Sequence, residues 1–528
     1  MNSEETDKMP KWLNDAVFYQ IYPQSFKDSN QDGIGDINGI IDKLDYIKDL
    51  GCNALWINPC FESPFKDAGY DVKDYKKIAP RYGSNTDMYR LFGEAHNREM
   101  HVLLDLVPGH TSEEHPWFKE SKKAETNPFS NRYIWTDSCF HGPDNMPFVA
   151  GESQRNGCYI LNFFKCQPAL NYGFLHPTEK WQLPMDHPDC IATREAMKDV
   201  MRFWLDHGCD GFRVDMANSL VKGDDENKTG TVSIWREVRE MLDRDYPDAT
   251  MISEWNNPPQ AIAAGFHSDF CLHMDGNGYS TLFRDYKNHE ETERKAGGVD
   301  HSFFKKDGHG DITRFLADYL PWYEAVKGKG YMSLTTGNHD TERMSYTMSE
   351  DELKIAYAFI LTMPGVPFLY YGDEIGLRYQ ELTSWEGGYI RTGSRTPMQW
   401  TEGKNKGFSE GSEDTLYLPL DPSSDAPTVE TQKKLSGSLF NTVRDLIRLR
   451  HETADLQAAG EFEVLYAEKG KFPFVYRRGS LTVAVNPSEE QAPLPKQAQN
   501  KEIIYSVGKT DAYQKEGEMA PQSFLVLK

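Results

Sequence analysis

The sequence has no long hydrophobic run, and this absence limits where the protein can work. No stretch approaches the roughly 20 apolar residues that a membrane-spanning helix requires. Met1–Lys11 is polar and acidic, and it lacks the apolar segment of a secretory signal peptide. We therefore expect a cytoplasmic protein that has no membrane partner.

Positive charge is scarce as well. The chain has 58 basic residues against 81 acidic ones, which gives a formal net charge of −23. A chain this acidic is repelled by phosphate backbones and anionic lipids, so nucleic acid is not an expected partner. A neutral ligand such as a sugar is compatible with this charge, although the charge does not identify one.

Cysteine is absent after residue 271, a little past the middle of the chain. All eight cysteines lie between Cys52 and Cys271, and no C-x-x-C pair occurs, which disfavours a zinc site. Several stand in apolar, strand-like runs, so we expect small buried side chains with reduced thiols. What remains is a chain of 528 residues, 38% hydrophobic and 12% aromatic, which is long enough for a large core and more than one domain.

The stretch Gly211–Ser219 has the pattern of a buried strand that carries charge. Apolar Phe212 and Val214 alternate with Arg213 and Asp215. Side chains two apart on a strand point to the same side, so the arginine and the aspartate share one face. On an inward face this charged pair occupies a site of low dielectric constant, which favours either a structural salt bridge or a functional site.

Other apolar runs also end in polar groups. Thr250–Ser253 is followed by Glu254, and the run that begins at Tyr331 leads to Asp340. His101–Leu106 leads to His110 in the same way. A (β/α)8 barrel gathers the ends of its strands at one face. Paired carboxylates at one site of the size of a sugar ring are what retaining glycoside hydrolysis requires.

Taken in order, these stretches resemble the motifs of the α-amylase superfamily, glycoside hydrolase family thirteen. The resemblance runs from Val17 to about Leu456 and is closest to the oligo-1,6-glucosidase and α-glucosidase group. It implies an α/β fold: a (β/α)8 TIM barrel over 12–110 and 184–457, and an inserted domain over 111–183 after the third strand. Short successive strands after Ala458 predict a C-terminal antiparallel β-sandwich over 458–528.

The resemblance assigns roles to the site residues. Asp215 is the expected nucleophile, kept ionised by Arg213, and Glu254 is the expected general acid and base, with a pKa raised by its anionic neighbours. The third expected catalytic residue, Asp340, binds hydroxyls and stabilises the transition state. The expected substrate-binding residues are Tyr70, Asp71, His110, Arg213, His339 and Arg343. Among these, Tyr70 stacks under the sugar, Asp71 accepts its distal hydroxyls and Arg343 pairs with Asp71.

An acidic loop, Asp28–Asp36, follows the first strand. Oxygen side chains alternate along it and glycines allow a sharp turn, so the loop can wrap a hard cation; an ordinary acidic turn is the alternative. It also resembles the metal loop of the oligo-1,6-glucosidase group. The expected ligands of one structural Ca²⁺ are Asp28, Asn30, Asp32, Asp36 and the carbonyl of Ile34. Gly109 stands where the family usually has an asparagine, which puts a second calcium site in doubt.

Helical spacing and turn residues mark several helix ends. Gly51 and Gly208 are expected to end helices, and Asn85 is expected to cap one. The last barrel helix is expected to include Leu435. The polar segment 285–311 has no pattern that suggests a role.

The residues and the resemblance together predict a retaining α-glucosidase that acts on short α-linked gluco-oligosaccharides without an organic cofactor. A transglucosylase or isomerase of the same fold, active on trehalose or sucrose, is the first alternative, and a malto-oligosaccharide amylase is a further one. A non-catalytic amylase-like domain is an alternative of another class, disfavoured because all three carboxylates are present. The sequence is compatible with a monomer or a homodimer.

Overall fold

Eight parallel strands close into a barrel in the computed structural model, which describes residues 9–273, 277–285 and 300–528. The strands are β1 Phe18–Ile21, β2 Ala54–Ile57, β3 His101–Leu106, β4 Gly211–Val214, β5 Thr250–Ser253, β6 Ser268–Cys271, β7 Tyr331–Thr335 and β8 Val366–Tyr370. Each barrel strand pairs with the barrel strands that precede and follow it in the chain, and β1 pairs with β8. The predicted barrel is therefore confirmed. Residues 1–8 of the polar N-terminal stretch and residues 286–299 of the segment without a role lie outside the described residues.

The barrel strands are short apolar runs because both of their faces are covered. Inside the barrel, the rings of Phe18 and Phe368 stack at 4.3 Å, and Trp56 packs against Phe270 at 5.4 Å. The guanidinium of Arg213 lies 4.9 Å from the Trp56 ring centre. The aromatic side chains of the barrel interior thus border a charged layer, and the site begins in that layer.

Helices follow the strands along the chain. The longer ones span Ile37–Asp42, Leu44–Leu50, Asn85–His96, Pro188–Asp206, Thr229–Asp245, Pro258–Ala263, Ile312–Val326, Glu350–Thr362 and Leu439–Glu452. Gly51 and Gly208, expected to end helices, both have a positive φ of 105°, which glycine adopts without strain. No helix among the described residues is both long enough and apolar enough to span a membrane.

Two helix ends differ from the sequence expectation. The helix Asn85–His96 is capped by Ser84, whose hydroxyl accepts from the Asp87 amide, whereas Asn85 bonds to the neighbouring strand. The last barrel helix begins at Leu439, and Leu435 is 58% exposed. Asn85 and Leu435 each lie within about one turn of the observed helix boundary. The spacing of apolar residues does not locate a helix boundary more closely than that.

The segment 111–183 leaves the barrel after β3 and has little regular structure. It contains the helix Pro116–Ser121 and a hairpin of Phe148–Ala150 with Cys158–Ile160. Backbone bridges tie it to the end of β3, since His110 pairs with Ala169. The inserted segment is thereby anchored next to a predicted site residue.

The C-terminal residues form an antiparallel sheet of five strands. These are β9 Phe462–Tyr466, β10 Phe474–Arg478, β11 Leu481–Asn486, β12 Ile503–Val507 and β13 Ser523–Leu527, in the order β9-β10-β11-β13-β12. A short pair, Ala492–Pro493 with Glu518–Met519, contributes to the apolar layer on one face. Tyr476 on the other face bonds to Thr362 of a barrel helix at 2.6 Å. The short successive strands expected after Ala458 are therefore present.

The eight cysteines lie within the described residues, and none of them is bonded to another. Seven are buried, and Cys139 is partly exposed. Burial raises the pKa of the Cys60 and Cys271 thiols well above the ordinary value. They are packed as small apolar side chains, as expected.

Candidate active site

The predicted catalytic groups meet at one cavity at the carboxyl ends of the barrel strands. Asp215 follows β4 directly, Glu254 follows β5 directly, and Asp340 lies five residues beyond β7. All three line a cavity of about 280 Å³, together with Tyr70 and His110. The parallel sheet brings these residues together because its strand ends share one rim.

Arg213 forms the centre of the cavity floor. This buried guanidinium donates to Asp215 at 3.0 Å, and it lies 2.9 Å from a carboxylate oxygen of Glu254. It also donates to Asp105 at 2.8 Å. Three carboxyl groups thus share one cation, which leaves the floor with excess negative charge if all three are ionised.

The charge on the floor affects protonation. Burial and the charge of Glu254 raise the pKa of Asp215 well above its ordinary value, although Arg213 acts in the opposite direction. The sequence expectation that Arg213 keeps Asp215 ionised describes only one of these influences. Because burial and the like charge of Glu254 act on Asp215, these two neighbouring carboxyl groups are chemically suited to supply an acid and a base.

Asp105 belongs to this floor, although sequence reasoning gave it no role. It is fully buried on β3 beside Arg213 of β4, and it accepts from Trp56 Nε1 and the Tyr70 hydroxyl. Burial raises its pKa to about 6. An aspartate inside the apolar run His101–Leu106 was the available signal, because a buried carboxylate requires a partner.

Tyr70 and His339 form a stacked pair beside the floor. Their rings are 5.3 Å apart and nearly parallel, and the Tyr70 hydroxyl lies 2.7 Å from His339 Nε2. Burial lowers the pKa of His339 well below its ordinary value. Burial also lowers the pKa of His110 to about 3, so both imidazoles are neutral at neutral pH.

Asp340 lies in a strongly positive part of the cavity wall. Arg391 and Arg395 donate to the same carboxylate oxygen at 2.7 and 2.8 Å. Burial would raise the pKa of Asp340, but His339, Arg391 and Arg395 lower it far below the ordinary range. This carboxylate therefore stays ionised at the pH values where enzymes usually act.

Arg391 also donates to Asp67, and both residues line the cavity. Tyr389 covers the guanidinium at 4.3 Å and lines the same cavity. Sequence reasoning missed these three residues because they lie on irregular loops, where spacing carries no signal.

The structure corrects the predicted roles of Asp71 and Arg343. Asp71 is fully buried below the loop, where it accepts from Ser63 Oγ and from the amides of Lys66 and Asp67. It shapes the loop that presents Asp67, which is the carboxylate that faces the cavity.

The predicted pair of Arg343 with Asp71 is wrong. Arg343 is 1% exposed, and it donates to Asp373 at 2.7 Å and to the carbonyl of Tyr371 at 2.8 Å. Both partners follow β8, so Arg343 ties the loop after β7 to the loop after β8. Its role is structural rather than substrate binding.

The acidic loop after β1 is held by its own hydrogen bonds. Asp28 accepts from the amides of Asn30 and Gly33, and Asp36 caps the next helix by accepting from the Gly39 amide. The oxygen donors of the loop suit a hard cation. However, no three histidine, cysteine, aspartate or glutamate side chains among the described residues converge closely enough to hold a metal ion. Calcium binding stays a prediction.

Comparison with known proteins identifies the family. A family model described as alpha amylase, catalytic domain, matches residues 20–459. A trehalose synthase/amylase of Mycolicibacterium smegmatis is 33% identical over 493 residues, which covers 86% of this chain and 78% of the relative. An oligo-1,6-glucosidase of Parageobacillus thermoglucosidasius is 31% identical over 524 residues, which covers 88% of this chain and 87% of the relative.

A solved structure agrees with this result. The isomaltulose synthase of Erwinia rhapontici, in complex with its natural substrate sucrose, superposes with a TM-score of 0.80 at 25% identity. The superposition covers 98% of this chain and 99% of that one. The barrel, the carboxylates at its rim and the matching family model lead to one conclusion: this chain is an enzyme of the α-amylase family of glycoside hydrolases.

Proposed function

We propose that the protein is a retaining α-glucosidase that acts on short α-linked gluco-oligosaccharides. The observation that carries the proposal is that Arg391 bridges Asp67 and Asp340 in the lining of the cavity, a bridge that we take to close one end of it. A charged bridge across the end blocks a continuous chain, so only a terminal sugar can reach Asp215 and Glu254. The bridge also offers several charged hydrogen-bonding groups to the hydroxyls of that sugar.

The proposed reaction begins with Asp215 as the nucleophile. Its carboxylate oxygen forms a bond to the anomeric carbon while the glycosidic bond breaks, and Glu254 gives its proton to the leaving oxygen. Glu254 then takes a proton from water, which attacks the anomeric carbon and releases Asp215. Each step inverts the configuration, so the product keeps the α configuration. The fixed charge of Asp340 supports the oxocarbenium-like transition states.

Neutral side chains of the site are proposed to bind the sugar. Tyr70 offers an aromatic face to the sugar ring, and its hydroxyl is held by Asp105 and His339. His110 reaches the cavity as a neutral ring that can donate to one hydroxyl. Removing these groups is expected to weaken binding more than it slows the chemical step.

A product time course tests the proposal. Maltose, isomaltose, sucrose and trehalose are incubated with the enzyme, and NMR follows each anomer of the released glucose. We expect α-glucose to appear first, and the four rates then rank the linkages. The β anomer appearing first would contradict a retaining mechanism, and no glucose from any of the four would contradict an α-glucosidase for short substrates.

A transglucosylase or isomerase is the second candidate. It is favoured by the similarity to a relative named trehalose synthase/amylase and to an isomaltulose synthase structure. The same glucosyl-enzyme would react with a sugar hydroxyl instead of water. In the same time course, this activity would yield new disaccharides while the number of glycosidic bonds stays constant.

We also propose that the loop Asp28–Asp36 binds one structural Ca²⁺. Support comes from its oxygen donors, Asp28, Asn30, Asp32, Asp36 and the Ile34 carbonyl. Ca²⁺ is expected to raise the melting temperature of chelator-treated protein, and Asp32→Asn is expected to abolish that rise. Asp225→Asn, on an exposed loop, is the control that should retain it. An unchanged melting temperature on addition of Ca²⁺ would contradict the proposal.

A further inference from the structure

Asn162 of the inserted segment connects the half-buried Lys222 to the cavity. The Lys222 ammonium donates to Asn162 Oδ1 at 2.9 Å and to the carbonyl of Ser219 at 2.8 Å. Asn162 Nδ2 lies 3.1 Å from Nδ1 of His110, and Nε2 of that ring lies 3.1 Å from the carbonyl of Tyr70. A continuous path of hydrogen bonds thus runs from Lys222 to a histidine that lines the cavity.

The chemistry of the donors fixes the direction of this path. A charged lysine only donates, so Asn162 must turn its carbonyl oxygen toward Lys222 and its NH₂ group toward His110. His110 Nδ1 must then accept, which leaves the ring proton on Nε2. The Tyr70 carbonyl only accepts, and it requires the same tautomer from the other side of the ring. A change at Lys222 or Asn162 therefore acts on the protonation of both ring nitrogens of His110, a residue that lines the cavity.

The chain leaves room for this arrangement at Gly109. A Cβ atom added at this position would lie 2.7 Å from Asn162 Nδ2. The φ angle of Gly109 is not in the left-handed region, so the backbone itself would accept alanine. The glycine is therefore needed for the space that the Asn162 amide occupies rather than for its conformational freedom.

The geometry points to Asn162, oriented by Lys222, as a positioning residue that holds His110 in the tautomer with its proton on Nε2. This proton is donated to the Tyr70 carbonyl and can be shared with a substrate hydroxyl at the cavity, so the inference deepens the proposed function and rests on it for the effect on turnover. The inserted segment would thereby contribute to recognition of the terminal sugar without contacting the sugar through Asn162. The structural statement about His110 holds for any substrate.

NMR of the histidine rings tests the structural statement directly. His110→Gln assigns the His110 signals, and Asn162→Asp replaces the donating NH₂ group with an accepting oxygen of the same size. We expect the proton on Nε2 in the wild type, and a protonated Nδ1 in Asn162→Asp. Unchanged ring-nitrogen shifts in Asn162→Asp would overturn the proposal whether or not any α-glucoside is hydrolysed. Asn156→Asp, on an exposed part of the inserted segment, is the matched control.

Kinetics test the consequence on the α-glucoside that the enzyme hydrolyses best. Asn162→Ala and Gly109→Ala are each expected to raise KM about tenfold with kcat within about threefold, because one binding hydrogen bond is lost. Lys222→Met should add nothing to Asn162→Ala in the double variant, since both act through one path. Gly93→Ala, in open space on a helix, and Lys165→Met on the surface are the controls. Additive losses or an unchanged KM in folded variants would overturn the proposal.

Discussion

Arginines contact carboxylates on both the floor and the wall of the cavity, but the net shift in carboxyl pKa is opposite in the two places. On the floor, Arg213 forms ion pairs with Asp105, Asp215 and Glu254. On the wall, Asp340 receives two arginines, Arg391 and Arg395. Burial dominates on the floor and raises the pKa of Asp215, whereas the positive charge dominates on the wall and lowers the pKa of Asp340.

This difference shows how one cavity can serve two tasks. With one arginine among three carboxyl groups, burial and like charge raise the pKa of Asp215 on the floor. An excess of positive charge keeps Asp340 ionised, so that it can bind hydroxyls and face a positively charged transition state. The ratio of arginines to carboxylates, rather than burial alone, distinguishes the floor from the wall.

The largest loss of activity is expected from a substitution on the floor of the cavity. Asp215→Asn removes the proposed nucleophile while keeping its size, and kcat should fall by about four orders of magnitude or more. Asp199→Asn, an exposed aspartate that pairs with Lys76, should keep wild-type activity. Initial rates with melting curves check this, and a folded Asp215→Asn enzyme with more than a tenth of the activity would contradict the assignment.

Another buried arginine, Arg343, distinguishes a structural ion pair from those of the catalytic site. Arg343→Met leaves the carboxylate of Asp373 buried without its cation, which should lower the free energy of unfolding by about 3–5 kcal/mol. The folded fraction should keep its KM, because Arg343 does not line the cavity. Denaturant titration and kinetics check this together. A raised KM at unchanged stability would restore the substrate-binding role that the sequence suggested.

A substitution on the wall of the cavity should weaken both substrate binding and stabilisation of the transition state. Arg391→Met opens the closed end and leaves Asp67 and Asp340 with less positive charge, and kcat/KM should fall about a hundredfold. Arg378→Met, which removes a partly exposed pair with Asp425, is the control. Faster attack on longer oligosaccharides by Arg391→Met, relative to wild type, would support the closed end as the cause. An unchanged preference for length would contradict it.

The smallest effect expected is a shift in the pH profile. In the wild type, Arg391 and Arg395 lower the pKa of Asp340, so this group stays ionised as the pH falls through the acid range. Removing Arg391 takes away one of these influences, so the pKa rises and Asp340 becomes protonated at a higher pH. The acid limb of kcat/KM should therefore move upward in Arg391→Met. An acid limb at the wild-type position would show that Asp340 does not depend on this arginine.

The residues of the floor could be predicted from the sequence because side chains alternate between the two faces of a strand. Arg213 and Asp215 alternate with apolar residues, so the pattern places them on one face of a strand, and the family resemblance places that face inward. The same pattern was present for Asp105 and could have been used. The C-terminal strands were found from the same kind of signal.

The wall could not be predicted in this way. Asp67 and Asp71 lie in one loop, and only the fold of that loop decides which of them faces the cavity. Phe65, Ala68 and Gly69 all have positive φ, so the chain turns sharply there. Arg391 lies 324 residues from Asp67, and a pairing over such a separation leaves no local trace in the sequence. The partner of Arg343 was missed for the same reason.

Trapping the intermediate tests the central claim, that Asp215 attacks the sugar while Glu254 handles the proton, most directly. In Glu254→Gln, an α-glucoside with a dinitrophenolate leaving group needs no acid for the first step, whereas the second step lacks its base. The glucosyl-enzyme should therefore accumulate, and peptide mass spectrometry should find one glucosyl group on Asp215. A label on Asp340, or no label while β-glucose is released, would contradict the account.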